Sequence, residues 1–264
     1  MFELSKDKYE ILLEPVMRMP FNTLMVRSVI CDHVDGHIYV DCCENPQTFY
    51  IVHPYGMTYL CGDSNNKDFN SWLRKYFMGN SFGRKNDEWL QAYPRDWDSF
   101  MDQLVNEGVA IPYNRVNFKH DSIKFFEIYD QVDKSKYRII PTPTDMLFEI
   151  SGSVVPRDYW KTPTQFAEMA KAFTILIDGK PASTAFTSAR HDDKLEIGIE
   201  TLKEYHGKGF AYLACARLIE YCLDNKLEPV WSCRYENTAS FNLAKKLGFI
   251  EVLRMPYYHI PKSY

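Results

Sequence analysis

Two glycines flank one lysine at Gly207-Lys208-Gly209, between a strand-like and a helix-like stretch. The run Glu196-Ile197-Gly198-Ile199-Glu200-Thr201 alternates apolar and polar residues, with the period of a half-buried strand. From Ala211 the period changes: Ala211, Ala214, Cys215, Leu218 and Cys222 fall on one face of a helix that reaches about Asn225. A strand, a glycine-bearing loop and a helix N-terminus aim unpaired backbone N–H groups at one point, and the helix dipole adds partial positive charge there. Side chains at 207 and 209 would hold a ligand away from those amides, so glycine is needed at both. The guest that this chemistry selects is a phosphate or pyrophosphate.

The nucleotide motifs do not fit. A P-loop places four residues between its glycines and ends in Gly-Lys-Ser/Thr, and a dinucleotide fingerprint carries a third glycine and a later acidic strand end. Gly207-Lys208-Gly209-Phe210 offers neither. The segment His206-Gly207-Lys208-Gly209-Phe210-Ala211 instead resembles the pyrophosphate loop of the GNAT superfamily of acetyl-CoA-dependent N-acetyltransferases, Gln/Arg-x-x-Gly-x-Gly/Ala. Gly209 and Ala211 match; His206 stands where Arg or Gln is usual. Downstream, Val230-Trp231-Ser232-Cys233-Arg234 reads as a short strand, Asn237-Thr238-Ala239-Ser240 as the family's Asn-x-x-Ala/Ser cofactor contact, and 241–249 as its second helix ending in Leu247-Gly248-Phe249. Asn237 is an N-cap residue and Gly248 a left-handed C′ residue on physical grounds alone. The resemblance covers the C-terminal half and suggests a two-domain, bacterial-type member.

The resemblance implies a chemistry. The pyrophosphate of acetyl-CoA, the co-substrate, lies on His206, Gly207, Lys208, Gly209, Phe210 and Ala211, with Asn237 and Ser240 beside the pantetheine arm. That arm runs along the 196–201 strand, where amides near Ile199 and Thr201 bond it and one polarises the thioester carbonyl. The acceptor amine attacks directly and must first lose a proton, so a carboxylate is the expected base. Glu196 and Glu200 are the candidates, on one side of the strand by period two; the alternative is a solvated or hydrogen-bonded face. The thiolate's usual proton donor, a tyrosine on the second helix, is replaced by Ala244. Tyr235, Cys233 or water could substitute, and a thiol with a pKa of roughly 8.5 can leave unassisted. His206 and Lys208 could each meet a phosphate or simply face solvent.

The elements that must position these residues follow from the rest of the chain. Its 264 residues fit one large or two small domains, and 45% apolar with 15% aromatic content is ample for packed cores. A net charge of −4 argues against a general nucleic-acid binder. No apolar run opens the chain or approaches the ~20 residues of a membrane span, so neither a secretory leader nor a membrane is expected. Seven cysteines without Cys-x-x-Cys spacing read as reduced core thiols of a cytoplasmic protein. His33, His37 and His53 match no metal-ligand spacing, and no metal is expected.

Residues 1–134 read as an N-terminal α+β domain of unknown role. The patterns predict helices over 7–17 and 21–31, a strand over 37–42, a hairpin of 48–52 with 57–61 and a helix over 67–77. A loop over 79–86, a helix over 96–106, a strand over 115–118 and a helix over 122–131 follow. No catalytic motif lies here, and a degenerate acetyltransferase-like half is one reading of the order. Residues 135–264 read as the acetyl-CoA-binding catalytic domain. It has a strand over 137–140, a helix over 144–150 and an irregular loop over 151–164, where Tyr159 and Trp160 line an acceptor pocket or cover a core edge. A hairpin of 173–177 with 182–188 turns at Asp178-Gly179.

The fold class expected is α+β: a GNAT-like, mostly antiparallel sheet flanked by helices, preceded by a smaller α+β domain. The activity expected is transfer of an acetyl group from acetyl-CoA to a primary amine, on a small molecule or a peptide, by direct attack in a ternary complex. A catalytically degenerate CoA-binding sensor or interaction module is the alternative, kept by Ala244. A binder of another phosphate ligand is the third reading. The acceptor and the oligomeric state are not readable from the chain.

Overall fold

A computed structural model describes residues 1–79, 84 and 86–262. The chain divides into two compact units: Met1–Arg115 with Arg234–Glu236 and Arg254–Tyr264, and Val116–Cys233 with Asn237–Leu253. In the first unit, β1 (Phe2–Glu3), α1 (Leu13–Met17) and α2 (Leu24–Ile30) precede β2 (His37–Val40), β3 (Thr48–Val52) and β4 (Met57–Gly62). Then come α3 (Lys67–Phe77), β5 (Glu88–Tyr93), α4 (Asp98–Asn106) and β6 (Ile111–His120), whose later residues belong to the second unit. Strands β2, β3 and β4 pair antiparallel in succession, and β4 pairs parallel with β5 after the α3 crossover. Phe69, Leu73, Tyr76 and Phe77 recur along α3 at helical spacing and bury against Tyr50, Leu60, Leu90 and Trp97.

Several boundaries move for local reasons. The single helix expected over 7–17 is a 3-10 turn (Lys6–Leu12) followed by α1, because Pro15 has no N–H for the bond that an uninterrupted α-helix would need there. The helix expected from 21 begins at Leu24, whose amide is taken by the Asn22 side chain at 3.0 Å. A 3-10 turn (Arg95–Trp97) opens the segment read as a helix from 96. Of the loop read over 79–86, residues 80–83 and 85 lie outside the described residues.

Gly62 ends β4 with φ +96°, and a Cβ there would collide with the carbonyl oxygen of Gln47. That oxygen accepts the Asp63 amide at 2.9 Å, while the Gly62 carbonyl accepts the Trp97 indole at 3.1 Å. Gly62→Ala combines backbone strain with a backbone clash and is expected to cost about 3 kcal/mol or more. In thermal unfolding this should lower Tm by roughly 6–12 °C.

The second unit runs through α5 (Ser122–Tyr129), β7 (Arg138–Pro141), α6 (Thr144–Phe148) and α7 (Pro163–Met169) to β8 (Ala172–Ile177), β9 (Lys180–His191) and β10 (Lys194–Thr201). It closes with α8 (Phe210–Asp224), β11 (Glu228–Val230), β12 (Ser232–Arg234), α9 (Thr238–Lys246) and β13 (Phe249–Ile260), the last of which ends in the first unit. Its five-stranded sheet has the order β11-β10-β9-β8-β7. Asp178 and Gly179, at φ 51° and 77°, make the two-residue turn between β8 and β9.

Two readings are corrected here. Helix α7 lies where the loop over 151–164 ends: the Thr162 hydroxyl accepts the Gln165 amide at 3.1 Å and Pro163 takes the first helical position, so the proline starts a helix. The strand read over 230–234 is two strands, β11 and β12, in different sheets and separated by the buried Trp231. Pro229, with no N–H to give, sits in β11 just before the break.

Both units contain three successive antiparallel strands, a helix, a strand parallel to the third, and later a second helix and a further strand; in the second unit β7 precedes this series and β12 stands between β11 and α9. The protein is thus mixed α+β, with mostly antiparallel sheets flanked by helices. The repeats differ at the turn before the first helix. In the first unit Asn66 caps α3, accepting the Phe69 amide at 3.0 Å, and supplies from its own side chain what a ligand would otherwise supply.

Candidate functional site

Strand β10 separates two chemical environments. Leu195, Ile197 and Ile199 face α8 and join the core with Ala214, Cys215 and Leu218. Glu196, Gly198 and Glu200 face the other way by alternation. A register shift sits between Glu196 and Ile197, where Glu196 opposes Ala189 but Ile197 opposes Thr187. The extra residue, Ser188, therefore belongs to β9, and the alternation of β10 is unbroken. The Ser188 hydroxyl donates to the Glu196 carbonyl at 3.1 Å.

Parallel pairing with β11 lasts for three residues, Lys194 to Glu196, and then the strands part. From Ile197 to Thr201 that edge of β10 has no strand partner among the described residues. Glu196 marks the split: it is 3% exposed, and its Oε1 accepts the Ser232 hydroxyl at 3.0 Å. Glu200 is engaged elsewhere. Its Oε2 accepts the amides of Ser153 at 2.9 Å and Val154 at 2.8 Å and also the Ser153 hydroxyl, tying the 151–154 loop to the strand. Tyr159 packs on Phe186 at 5.6 Å, and the Trp160 indole donates to the Thr187 carbonyl at 2.7 Å. Both are almost fully buried, so of their two readings the structure selects the covered core edge.

The glycine loop has the geometry of an anion cradle. Gly207 and Gly209 lie at φ 75° and 81°, and a Cβ on either would meet no protein atom within 4 Å. Gly209 is the N-cap of α8, so no side chain caps it, and no acidic residue occupies the first turn. The amides of Lys208, Gly209, Phe210 and Ala211 have no protein acceptor among the described residues. Phe210 is buried against Tyr137 at 5.0 Å, which anchors the start of the helix. In the first turn, burial pushes up the Tyr212 phenol. Four amides without a protein acceptor, beside an uncompensated helix dipole, could hold a pyrophosphate, and the open space at both glycines leaves room for its close approach.

The structure spreads the remaining candidates. His206 turns back, its Nε2 at 2.8 Å from the Thr201 carbonyl, and Lys208 lies over the Tyr205 ring at 5.0 Å. The Thr201 hydroxyl pairs with Ser183 at 2.7 Å. The Asn237 side chain accepts the Ser240 amide at 3.2 Å as the cap of α9, and the Ser240 hydroxyl accepts the Trp231 indole at 3.2 Å. Ala244 is wholly buried. Tyr235 is 40% exposed and belongs to the first unit, where its amide donates to the Asn114 carbonyl at 2.7 Å and the Arg254 guanidinium lies 3.7 Å from its ring centre. Sequence reasoning missed Ser232 and Ser153, since lone serines carry no pattern that names a partner 36 or 47 residues away. Among the described residues no group of three His, Cys, Asp or Glu could hold a metal, and no helix is long and apolar enough to cross a membrane.

The sequence model described as GNAT acetyltransferase matches residues 16–258. The chain is 26% identical over 264 residues to the uncharacterized N-acetyltransferase YdfB of Bacillus subtilis strain 168, covering 97% of both chains. Its fold is similar to a GCN5-related N-acetyltransferase-like protein of Streptococcus suis 89/1591, with TM-score 0.72, 19% identity and 96% and 99% of the two chains covered. It is also similar to a GNAT-family acetyltransferase of Colwellia psychrerythraea, with TM-score 0.57, 12% identity and 99% of each chain covered.

Proposed function

The chain belongs to the GNAT acetyltransferase family, and from that premise we propose that it moves the acetyl group of acetyl-CoA onto a primary amine by direct attack in a ternary complex. The observation that carries this reading is the uncapped start of α8, with two left-handed glycines and open space where their side chains would be. Bound there, acetyl-CoA supplies an activated thioester. The amides of 208–211 hold the pyrophosphate, with the Asn237 side chain and Ser240 beside the arm, and the unpartnered edge of β10 offers amides near Ile199 and Thr201 to it.

Glu196 is the base in this reading. It is buried at the split, and the Ser232 hydroxyl holds one oxygen, which fixes the carboxylate for proton transfer directly or through one water. Glu200, the second candidate, spends Oε2 on the 151–154 loop and acts by holding that loop. Protonation of the departing thiolate falls to water in this reading, because a thiol of pKa roughly 8.5 leaves readily; Tyr235, the side chain the sequence offered for it, lies in the first unit. The buried Ala244 favours a second reading, a CoA-binding module without turnover.

Incubating the protein with acetyl-CoA and a panel of primary amines, and following free CoA with a thiol reagent, separates the two. Amine-dependent thiol release is expected. Acetyl-CoA binding with no thiol release from any amine would leave the binding module, and no binding would overturn both.

A further inference from the structure

The first unit carries a groove that the mechanism above does not use. It holds about 450 Å³ between α3 and α4 and is lined almost wholly by polar side chains. Lys67, Asn70 and Arg74 line it from α3, and Asp96 and Phe100 line it from the 3-10 turn and from α4. The core beneath fixes both walls: Phe69, Leu73 and Tyr76 share one buried cluster with Trp97, Phe100 and Leu104. The start of α3 is already capped by Asn66, so the groove is not an open helix terminus.

Three groups in this groove are unanswered. The Asn70 Nδ2 donates to the Ser64 carbonyl at 2.9 Å, which fixes the amide's orientation and leaves its Oδ1 buried without a donor. A buried acceptor in that state is costly, and a ligand N–H removes the cost. Among the described residues the Lys67 ammonium and the Asp96 carboxylate have no ion-pair partner, although both line the groove. The Arg74 charge, in contrast, is spent within the protein. Its guanidinium pairs with Glu107, donates to the Gln103 side chain at 3.4 Å and lies 5.9 Å from the Phe100 ring centre. One cation and one anion therefore remain. A net anion would meet Asp96 and a net cation Lys67, whereas a neutral molecule that carries both signs answers both. Its ammonium has three donors, enough for a carboxylate and for the Asn70 Oδ1 together. A groove of this volume suits a small metabolite.

We propose that the groove between α3 and α4 binds a zwitterion of the free amino-acid class, with its carboxylate toward Lys67 and its ammonium toward Asp96 and the Asn70 Oδ1. Ser71 and Ser99 also line the groove and favour a polar side chain on the ligand, while Phe100 offers its carbon chain an apolar contact. The site lies wholly in the first unit. It names a ligand of that unit and no step of the transfer reaction, so it stands apart from the acetyltransferase reading.

Titration calorimetry on the full chain without acetyl-CoA tests this, with L-serine and L-glutamine as probes. Each is compared with two relatives that keep one charge: the amino amide, which keeps the ammonium, and the N-acetyl acid, which keeps the carboxylate. Glycerol serves as a ligand with hydroxyls and no charge. At least one zwitterion is expected to bind roughly 10- to 100-fold more tightly than its relatives and glycerol. D96N and K67Q should each remove most of that preference; both positions are exposed, so the variants should keep the parent Tm. No binding of either zwitterion at millimolar concentration, a one-charge relative or glycerol that binds as tightly, or parent-like binding in either variant overturns the proposal. A second measurement places the ligand. The Asn70 side-chain NH2 signals, assigned by their absence from N70A, should move and saturate as the zwitterion is added. Heat of binding without movement of these signals would put the amino acid elsewhere and overturn the site.

Discussion

Gly209→Glu is expected to abolish the thermal stabilisation that acetyl-CoA gives the parent protein. In the parent, cofactor at about 100 times its Kd should add about 2.7 kcal/mol, a rise in Tm of several degrees. The variant places a carboxylate where the amides of 208–211 and the helix dipole attract phosphate, and its side chain enters space that no protein atom fills. For the same reason the fold itself is little harmed. No clash arises, and the left-handed φ of 81° costs a non-glycine residue about 1–2 kcal/mol. The unliganded variant should therefore melt only a few degrees lower, still cooperatively. Gly209→Ala shares the backbone strain without the charge or the bulk, and should keep part of the response. A rise in Tm in Gly209→Glu equal to that of the parent would remove the cofactor from this loop.

The second large effect concerns rate. Glu196→Gln keeps the shape of the side chain and an oxygen that can still accept the Ser232 hydroxyl, but it removes the proton acceptor. A kcat lower by roughly 10²–10⁴-fold is expected, with the acetyl-CoA-dependent rise in Tm retained. Glu200→Gln also keeps an acceptor for the Ser153 and Val154 amides, and its expected loss is far smaller. If Glu196→Gln kept more than a tenth of the parent rate, or if Glu200→Gln lost more than it did, the base would be elsewhere. Stopped-flow mixing with a single amine across pH extends the test, because the acidic limb of the rate profile should weaken when its base is gone.

Much of the fold was legible because local rules dominate it. The helix over 67–77, the hairpin of β3 and β4 and the turn at Asp178-Gly179 each carry their cause within a few residues: apolar spacing, or positions that tolerate positive φ. Errors came where one residue type has two uses. Pro163 breaks a chain in one setting and starts a helix in another, and only the Thr162 cap decides between them. Trp231 looked like any strand residue, yet it is buried at the point where two sheets divide the segment.

The candidate site divides the same way. The cradle of Gly207 and Gly209 before α8 was set by sequence alone, because a left-handed turn and a helix start are local properties of the backbone. The alternation that places Glu196 and Glu200 on one face was likewise local, and it survives because the bulge falls in β9. Which carboxylate is tied up was not local: Ser153 and Val154 lie 47 and 46 residues from Glu200, and Ser232 lies 36 from Glu196. Nor could the sequence bring Asp96 into one groove with Lys67 and Asn70. Backbone geometry is written in neighbouring residues, whereas hydrogen-bond partners and ring contacts exist only once distant strands have packed together. The chain by itself therefore determined the left-handed turn and helix start that we propose as the seat of a phosphate-bearing ligand. Tertiary structure decided which side chains face that chemistry and which are spent holding the fold.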